Sequence, residues 1–438
     1  MKRRLLLLFA VTSVLLGACG VKQEAQLLES ETKSESQTEL ITEKATETEI
    51  ESKTESETES KIETETESKI ETETRTETES ELESVTEQET ETKTETETET
   101  ETETETETET ESGQEPGGNV TEIVISAVGD CTLGTNQKHK YDRTFHEYYD
   151  KYGADYFLKK VRGIFEADDL TIANFEGVLT TSTKLRETKQ WCHKGKPEYV
   201  SVLADSSVEA VTLGNNHIMD YNERGAKDTK KILKEAGIVY AINSDWGDEV
   251  GIYETKGIKI GIVSVNELYE GNRAYDRLEK GLKELREAGV DIAIAACHWG
   301  GDKTHKLEKR QYEMGRWCID EGFDLVIGCH PHVIQGIEVY KDKYIVYSMG
   351  NFCYGGNRNP DEKESMIFQI KYTFVDGERE GEGVGKVIPC MLSSSENKND
   401  YCPYVLEGED VQKVFKPLNK YCEEFGVTID EDGNIIKE

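Results

Sequence analysis

Aromatic residues are missing from a long stretch near the start of this 438-residue sequence: no Phe, Tyr or Trp lies between Phe9 and Tyr141. Basic residues are also scarce there, since residues 1–118 contain 11 Lys and Arg against 34 Asp and Glu. A segment with so few aromatics and so much like charge cannot bury enough apolar surface to offset its conformational entropy. We therefore predict a disordered tether over residues 19–118 and a folded domain over residues 119–438.

Basic residues are outnumbered in the chain as a whole, which carries a formal net charge of −37. This charge argues against nucleic acid or an anionic lipid surface as the main partner, because both attract positive charge. The sequence also lacks a second long apolar run after residues 5–16, which excludes a multi-pass membrane protein. No two cysteines have the CxxC spacing of a zinc ribbon. One large domain with its own core is what remains.

The N-terminus has the pattern of an export signal. Lys2, Arg3 and Arg4 precede the apolar run, which is too short to span a bilayer comfortably. Leu16-Gly17-Ala18-Cys19 then resembles a bacterial lipobox, in which the cysteine becomes the lipidated first residue of the mature protein. We predict a lipoprotein signal peptide at residues 1–18 and a lipid anchor at Cys19, on the extracytoplasmic face of the cell membrane. An ordinary secretory signal or a short anchor helix is the alternative.

The predicted tether consists mostly of Glu, Thr and Ser, and residues 90–111 alternate almost throughout between Thr and Glu. This alternation has the period of a strand but offers no apolar face to bury. Like charges repel one another and keep such a chain extended. We interpret the segment as a passive spacer, with a cation-binding or O-glycosylated stalk as the alternative.

Short apolar runs alternate with helical patterns along residues 119–438. The apolar runs lie at residues 123–128, 170–173, 208–213, 258–265, 290–296, 323–327 and 344–347. The helical patterns lie at residues 154–166, 223–236, 276–288 and 307–321. Strands that alternate with helices predict an α/β fold with a parallel or mixed sheet.

Polar residues follow the predicted strands at several turns. They are Asp130, Glu176, Asn216, His217, His298, His330 and His332. The carboxyl ends of strands in an open α/β sheet line one edge, and ligands bind at that edge. The chain has eight His, and four of them fall in these turns. We therefore expect these residues to meet at one site.

Carboxylate, amide and imidazole groups that meet at one edge form a ligand set for a divalent metal such as Mn, Fe or Zn. Calcium alone fits less well, because hard cations prefer shells made only of oxygen. Asp220, three residues after His217, is placed either to hold that imidazole in one tautomer or to cap a helix. Ordinary polar turn residues without a metal are the alternative for the whole set.

The motifs at these turns resemble the signatures of one bacterial family. They are Gly129-Asp130-Cys131-Thr132-Leu133-Gly134, Ala173-Asn174-Phe175-Glu176-Gly177, Asn215-Asn216-His217-Ile218-Met219-Asp220, His298-Trp299-Gly300-Gly301-Asp302, Cys329-His330-Pro331-His332 and Tyr347-Ser348-Met349-Gly350-Asn351-Phe352. In this order, over residues 123–372, they resemble the bacterial capsule synthesis protein family of CapA and PgsA, which is named for poly-γ-glutamate biosynthesis. The sequence is identified as a member of that family, with residues 373–438 as a C-terminal extension.

The family is similar in turn to the calcineurin-like metallophosphoesterases, which implies a four-layer α/β/β/α sandwich of the metallo-dependent phosphatase type. The resemblance implies that the metal ligands are Asp130, Glu176, Asn216, His298, His330 and His332. It implies that His217 is the acid that protonates a leaving oxygen, with Asp220 as its catalytic neighbour. The other pocket positions within these motifs are Asn174, Asn215, Trp299, Asp302 and Asn351.

One position departs from the phosphoesterase pattern. Those enzymes usually have Asp-x-His in the first motif, whereas Thr132 lies two residues after Asp130 here. The first metal would lose an imidazole ligand, so a one-metal and a two-metal site both remain open.

The family implies a lipid-anchored cell-surface protein that takes part in synthesis, export or anchoring of an anionic polymer such as poly-γ-glutamate, beside a membrane capsule-synthase complex. An extracytoplasmic metal-dependent hydrolase acting on a phosphoester or an amide is one alternative, and a non-catalytic scaffold is another. Lys184, Arg186, Lys189, Lys194 and Lys196 form a basic stretch, which is either a patch for the anionic polymer or a solvated loop. We interpret Cys297 and Cys329 as small buried apolar residues. Cys131 and Cys353 flank the predicted site, with a role as weak ligands or redox-sensitive thiols as the alternative.

Overall fold

The computed structural model of the protein describes residues 118–438, so the predicted signal peptide, Cys19 and all but the last residue of the predicted tether lie outside the described residues. Its strands are β1 (Val120–Thr132), β2 (Thr135–Asn136), β3 (Leu170–Phe175), β4 (Val178–Leu179), β5 (His193–Gly195), β6 (Ala210–Thr212), β7 (Val239–Ser244), β8 (Gly247–Glu249), β9 (Gly251–Thr255), β10 (Ile258–Asn266), β11 (Ile292–His298), β12 (Leu325–Cys329), β13 (Ile337–Tyr340), β14 (Lys343–Val346), β15 (Asn351–Tyr354), β16 (Glu364–Val375), β17 (Glu378–Arg379), β18 (Val384–Met391), β19 (Tyr404–Val405), β20 (Val427–Ile429) and β21 (Ile435–Lys437).

The α-helices are α1 (Phe145–Tyr152), α2 (Asp155–Leu158), α3 (Arg162–Phe165), α4 (Ser201–Ala204), α5 (Asn222–Glu235), α6 (Glu267–Glu270), α7 (Arg273–Glu287), α8 (Lys309–Glu321) and α9 (Gln412–Cys422). Short 3-10 helices occur at Pro197–Val200, Gly408–Val411 and Glu423–Phe425. Within residues 118–438, no helix has the length and apolar character needed to cross a bilayer.

Two large sheets contain most of the strands. The first has the order β19-β18-β16-β1-β3-β6-β7-β8, with β15 also paired to β1 and β17 to β16. Its β1, β3, β6 and β7 are parallel, whereas β16 runs antiparallel to β1. The second has the order β13-β14-β12-β11-β10-β9, in which β10, β11, β12 and β14 are parallel. The prediction of a mixed α/β fold is confirmed.

Successive residues of a strand point to opposite faces, and in this protein the two faces enter different cores. In β10, Ile258, Ile260 and Ile262 join an apolar cluster that also contains residues of β1, β3 and β16 in the first sheet. Val263 and Val265 of the same strand pack instead with side chains of α7 and α8. The other face of the first sheet packs against residues of α1 to α5. The two sheets therefore share one core, and helices cover their outer faces.

The helix predicted at residues 154–166 is divided into α2 and α3. Val161 lies between them with φ −121°, outside the helical range. This β-branched residue and the following Gly163 both disfavour helix, so the pattern of apolar residues is met by two short pieces. Phe157 and Phe165 still reach the core.

Candidate metal centre

The residues predicted as ligands lie at the carboxyl ends of parallel strands in both sheets. Asp130 is close to the end of β1, and Glu176 directly follows β3. His298 is the last residue of β11, and His330 and His332 follow β12. Because the two sheets pack face to face, these strand ends meet, and residues about 200 positions apart in sequence become neighbours.

Glu176 is at the centre of the cluster and is fully buried. Its Oε1 lies 3.6 Å from His217 Nε2 and 3.8 Å from His298 Nε2. Its Oε2 lies 3.7 Å from His332 Nδ1. Glu176, His330 and His332 also offer three ligand atoms that all lie within 4.8 Å of one another. This carboxylate thus faces imidazoles from both sheets.

Asp130 is held beside Glu176 by contacts with two neighbours. Asn174 Nδ2 donates a hydrogen bond of 2.7 Å to Asp130 Oδ1. His332 Nδ1 lies 3.0 Å from Asp130 Oδ2, and also 3.0 Å from Asn351 Oδ1. Thr132, at the position where the phosphoesterases have His, donates from Oγ1 to the Glu176 carbonyl at 2.8 Å. Thr132 therefore positions the backbone of one candidate ligand instead of providing another.

Several atoms of this cluster that could bind a metal ion are buried and have no hydrogen-bond partner among residues 118–438. They are Glu176 Oε1 and Oε2, Asn216 Oδ1, His298 Nε2 and His330 Nδ1. Folded proteins leave few buried polar atoms unpaired. Five such atoms in one cluster, each a side-chain oxygen or an imidazole nitrogen, fit a divalent cation. The mixture of oxygen and nitrogen donors suits Mn, Fe or Zn.

Burial and neighbouring charges shift the pKa values in this cluster. Burial raises the pKa of Glu176 to about 8. Burial lowers the pKa of His330 to about 4, and the pKa of His298 falls well below its usual range for the same reason. Burial alone would lower the pKa of His332, but the charges of Glu176 and Asp130 raise it to about 10. His298 and His330 are therefore neutral imidazoles, the form that binds metals.

The turn that follows β12 holds its two imidazoles in an unusual backbone conformation. His330 has φ 105° and His332 has φ 60°, on either side of Pro331. Residues other than Gly rarely have positive φ, and such strain concentrates at functional sites. The surrounding fold is thus organised to keep both side chains at the cluster.

Asp220 holds His217 and a neighbouring loop together. Its Oδ2 lies 2.6 Å from His217 Nδ1 and accepts the His193 backbone N–H at 2.6 Å. Its Oδ1 accepts from Lys189 Nζ at 2.8 Å, and its carbonyl oxygen accepts from the Arg186 N–H at 2.9 Å. Helix α5 begins at Asn222 with Tyr221 as its N-cap, so the alternative role of Asp220 as a helix cap is wrong. With Nδ1 turned to Asp220, His217 directs Nε2 at Glu176.

His193, His217 and Asp220 form a second group with the spacing of metal ligands. Lys189 Nζ already lies 3.0 Å from His217 Nδ1 and 2.6 Å from the Asn216 carbonyl, in addition to its bond with Asp220. The ammonium group of Lys189 therefore occupies the position that a metal ion would take in this second group. Sequence reasoning missed His193 and placed Lys189 only in a basic stretch, since no strand end or motif marks either residue.

Three other residues of the basic stretch have partners within the domain. Lys194 Nζ donates to the Ser182 carbonyl at 3.0 Å, and Lys196 pairs with Asp150 at 3.0 Å. The Arg186 guanidinium lies about 6 Å from the rings of Trp246 and Tyr269. Each of these charges interacts with its own surroundings in the domain.

A cavity of about 440 Å³ opens beside the cluster. The predicted site residues that line it are Asn216, His217, Asp302, His330, His332 and Asn351. Trp299 does not line it, because its ring is fully buried in the core under α8 and Nε1 donates to the Tyr347 carbonyl at 2.9 Å. Asn174 and Asn215 lie beneath the ligands, where Asn215 Nδ2 donates to the Phe175 carbonyl at 2.8 Å. These three residues support the site from below.

All nine cysteines among the described residues are buried and free. Burial raises the pKa of Cys131 to about 12, and it also raises the pKa of Cys353 well above its usual range. Neither belongs to the two groups of residues, within residues 118–438, whose ligand atoms lie close enough together to hold a metal ion. Neither cysteine contributes to the metal cluster as the structure has it.

Comparison with known proteins gives consistent matches. The family described as "Bacterial capsule synthesis protein PGA_cap" matches residues 124–355. The "Capsule biosynthesis protein CapA" of Bacillus anthracis is 26% identical over 322 residues, 68% of this chain and 73% of that protein. The "PGA biosynthesis protein CapA" of Bacillus subtilis (strain 168) is 29% identical over 253 residues, 53% of this chain and 64% of that protein. A solved structure of a hypothetical protein from Thermus thermophilus covers 61% of this chain and 99% of its own, with 15% identity and a TM-score of 0.39, too weak a likeness to bear on function.

Proposed function

The chain belongs to the bacterial capsule synthesis protein family, and on this basis we propose that it takes part in the synthesis, export or anchoring of an anionic capsule polymer of the poly-γ-glutamate type. Relatives from two Bacillus species carry names of this kind, "Capsule biosynthesis protein CapA" and "PGA biosynthesis protein CapA". The lipobox-like sequence at Cys19 supports a lipid anchor on the extracytoplasmic face of the cell membrane. A membrane capsule-synthase complex would then be its partner. The order of helices, sheet, sheet and helices supports a four-layer sandwich of the metallo-dependent phosphatase type.

The main support for a metal-dependent role is the cluster of five buried side-chain atoms that could bind a metal ion and have no hydrogen-bond partner among residues 118–438. Asp130, Glu176, Asn216, His298, His330 and His332 would hold a divalent metal. Such a metal would supply Lewis-acid polarisation of a carbonyl or phosphoryl oxygen. Asn174 orients Asp130, Thr132 orients the backbone of Glu176, and the strained turn orients the two imidazoles after β12.

A hydrolase acting on an amide or a phosphoester is the second candidate function, and the open cavity favours it. The cavity gives a ligand direct access to His217, His330 and His332. The contact with Asp220 at Nδ1 leaves His217 Nε2 as the atom that gives or takes a proton at the reacting group. A non-catalytic scaffold would have no need of such access.

Metal content tests this proposal. We would purify the full chain, load it separately with Mn²⁺, Fe²⁺ and Zn²⁺, and measure bound metal by elemental analysis. One or two ions per chain are expected. His298→Gln removes a buried ligand atom and should lower metal affinity at least about tenfold. His146→Gln on α1 is the matched control, because His146 bonds to Tyr199 away from the cluster and its loss should leave metal content unchanged.

The same variants separate the two candidate functions. In a strain that lacks the chromosomal gene, a metal-dependent enzyme predicts that His298→Gln abolishes capsule polymer while the protein level persists. A scaffold predicts normal polymer. Absence of metal under saturating conditions, or unchanged content after the joint replacement of His330 and His332 by Gln, would contradict the metal centre.

A further inference from the structure

Two buried polar atoms in the cavity wall have no partner among the described residues and do not belong to the candidate metal ligands. They are Asn136 Nδ2, on a residue that is 1% exposed, and His193 Nδ1, on a residue that is 4% exposed. Asn136 and His193 are paired across β2 and β5. Asn136 Oδ1 accepts from the Lys138 N–H at 2.9 Å, so its amide nitrogen is a free donor. Buried donors are normally paired, and this one therefore marks a place for an acceptor oxygen of a ligand.

Trp191 adds an aromatic surface to this part of the cavity. Its side chain is 48% exposed, and Lys138 Nζ lies 4.1 Å from the ring centroid. Gln137 fixes the backbone on both sides, because Nε2 donates to the Gln190 carbonyl at 3.1 Å and Oε1 accepts from the Cys192 N–H at 2.7 Å. An exposed Trp that is anchored in this way is a preformed contact surface. We call Asn136, Trp191 and His193, which all line the cavity, the donor wall.

Another part of the cavity lining is acidic. Asp302, Asp361 and Glu362 line it, and we call these three residues the acidic wall. Lys303, which also lines the cavity, lies 3.8 Å from Asp361, and His305 lies 2.8 Å from Glu362, so two of the three carboxylates have a basic neighbour. Within residues 118–438, Asp302 makes no side-chain hydrogen bond or ion pair. Its carboxylate is therefore available to a ligand.

The two walls favour different charges on the ligand. The donor wall suits a carboxylate, since Asn136 offers an unpaired N–H donor and the ammonium group of Lys138 lies next to the ring of Trp191. The acidic wall repels a carboxylate and attracts an ammonium group. The interior of a γ-glutamyl chain carries carboxylates alone, so it satisfies only one wall. The amino end of such a chain carries an ammonium and a carboxylate on the same residue and so offers one group to each wall.

We propose that this cavity binds the free amino end of a γ-glutamyl chain, with its ammonium at Asp302 and its carboxylate at the donor wall. The inference rests on the proposed function, since it names the ligand class of the same cavity. It places the first peptide bond of the chain near the candidate metal centre, and it gives Asp302 and Asn136 roles in specificity.

Peptide binding to the purified, metal-loaded full chain tests this assignment. The probes are γ-glutamyl-glutamate with a free amine and the same dipeptide after N-acetylation, followed through tryptophan fluorescence. The free amine should bind at least about tenfold more tightly, because acetylation removes the charge that Asp302 attracts. Asp302→Asn should abolish this difference by weakening the free-amine peptide alone. Asp155→Asn, a carboxylate that pairs with Arg162 on the surface, should leave the difference unchanged.

The variant Trp191→Phe tests whether the fluorescence change comes from Trp191. The chain has four tryptophans, and only Trp191 lines the cavity, so this variant should lose the fluorescence change, and calorimetry then measures the binding that the Phe ring retains. Equal affinity for the two dipeptides, or no binding of either, would overturn the assignment of the amino end.

Metal content measured in the same samples tests the metal-dependent function separately from recognition of the amino end. Normal metal content with equal affinity for the two dipeptides would overturn end recognition and leave the proposed metal-dependent function standing. If the free dipeptide bound more tightly than the acetylated one but no metal were bound, recognition of the amino end would be supported and the metal centre would be contradicted.

Discussion

Asp220 and Lys189 form a buried ion pair on which several contacts of the site depend. The Asp220 side chain is fully buried, and that of Lys189 is 14% exposed. The pair joins His217, the Asn216 carbonyl and the backbone of His193. Removal of one partner from a buried pair leaves the other charge without compensation, which costs more than the pair itself contributes.

Lys189→Met should therefore destabilise the domain by about 3 kcal/mol, at the low end of the range for breaking buried pairs because Lys189 retains some exposure. Urea unfolding of the full chain measures this change. Lys196→Met is the matched control from the same stretch, since Lys196 and Asp150 are 44% and 41% exposed and such pairs contribute less than about 1 kcal/mol. Equal effects of the two substitutions would contradict the role assigned to Lys189.

At the scale of elements, β1 and the turn before β15 approach so closely that only glycine fits between them. The Asp130 N–H donates to the Gly350 carbonyl at 3.0 Å. A Cβ atom on Gly129 would lie 1.8 Å from the same carbonyl oxygen. The contact fixes Asp130 against the segment that carries Asn351, and so it fixes one side of the candidate metal centre.

Gly129→Ala should lower the free energy of unfolding by about 1–3 kcal/mol or more, because the new methyl group forces backbone apart in a packed region. It should also weaken metal binding, since Asp130 moves with the strand. Gly163→Ala in α3 is the control, because no atom lies within 4 Å of the added Cβ and alanine favours helix over glycine. Thermal unfolding and metal titration of both variants measure the effects. A Gly129→Ala protein with wild-type stability would show that the two segments can separate freely.

At the scale of the whole domain, the candidate ligands come from both sheets. Asp130, Glu176 and Asn216 belong to the first sheet and its connections, whereas His298, His330 and His332 belong to the second. A bound metal would thus join two layers that are otherwise held by their shared apolar core. A metal ion that binds the folded state and not the unfolded state stabilises the folded state by mass action.

Metal should therefore raise the thermal midpoint of the full chain. Free metal at about 100 times its dissociation constant adds about 2.7 kcal/mol, which corresponds to roughly 4 °C for a domain of this size. Differential scanning calorimetry with Mn²⁺ or Zn²⁺, and then with EDTA, measures the shift. His298→Gln should show a much smaller one. A midpoint that EDTA does not change in the wild-type protein would contradict a metal shared between the sheets.

Much of the candidate centre could be predicted from the sequence because of a simple property of parallel strands. Their carboxyl ends lie at one edge, so the polar residues after the apolar runs at 170–173, 290–296 and 323–327 are brought together by the α/β fold itself. The prediction of secondary structure was weaker where the pattern of apolar residues is short or fits both a helix and a strand. The helix over residues 154–166 became two pieces, and β16 and β18 gave no distinct signal because strand pairing depends on distant partners.

The sequence by itself determined the α/β class, the family and the candidate ligands, because apolar periodicity and the motifs at strand ends are local properties of the chain. Only the tertiary structure decided that Lys189 is buried against Asp220, that Trp299 belongs to the core, and that a donor wall and an acidic wall line one cavity. These contacts join residues far apart in sequence, and no local pattern encodes them. Their geometry is set by how the two large sheets and the small sheet of β2, β5 and β4 pack, and packing is a property of the whole folded domain.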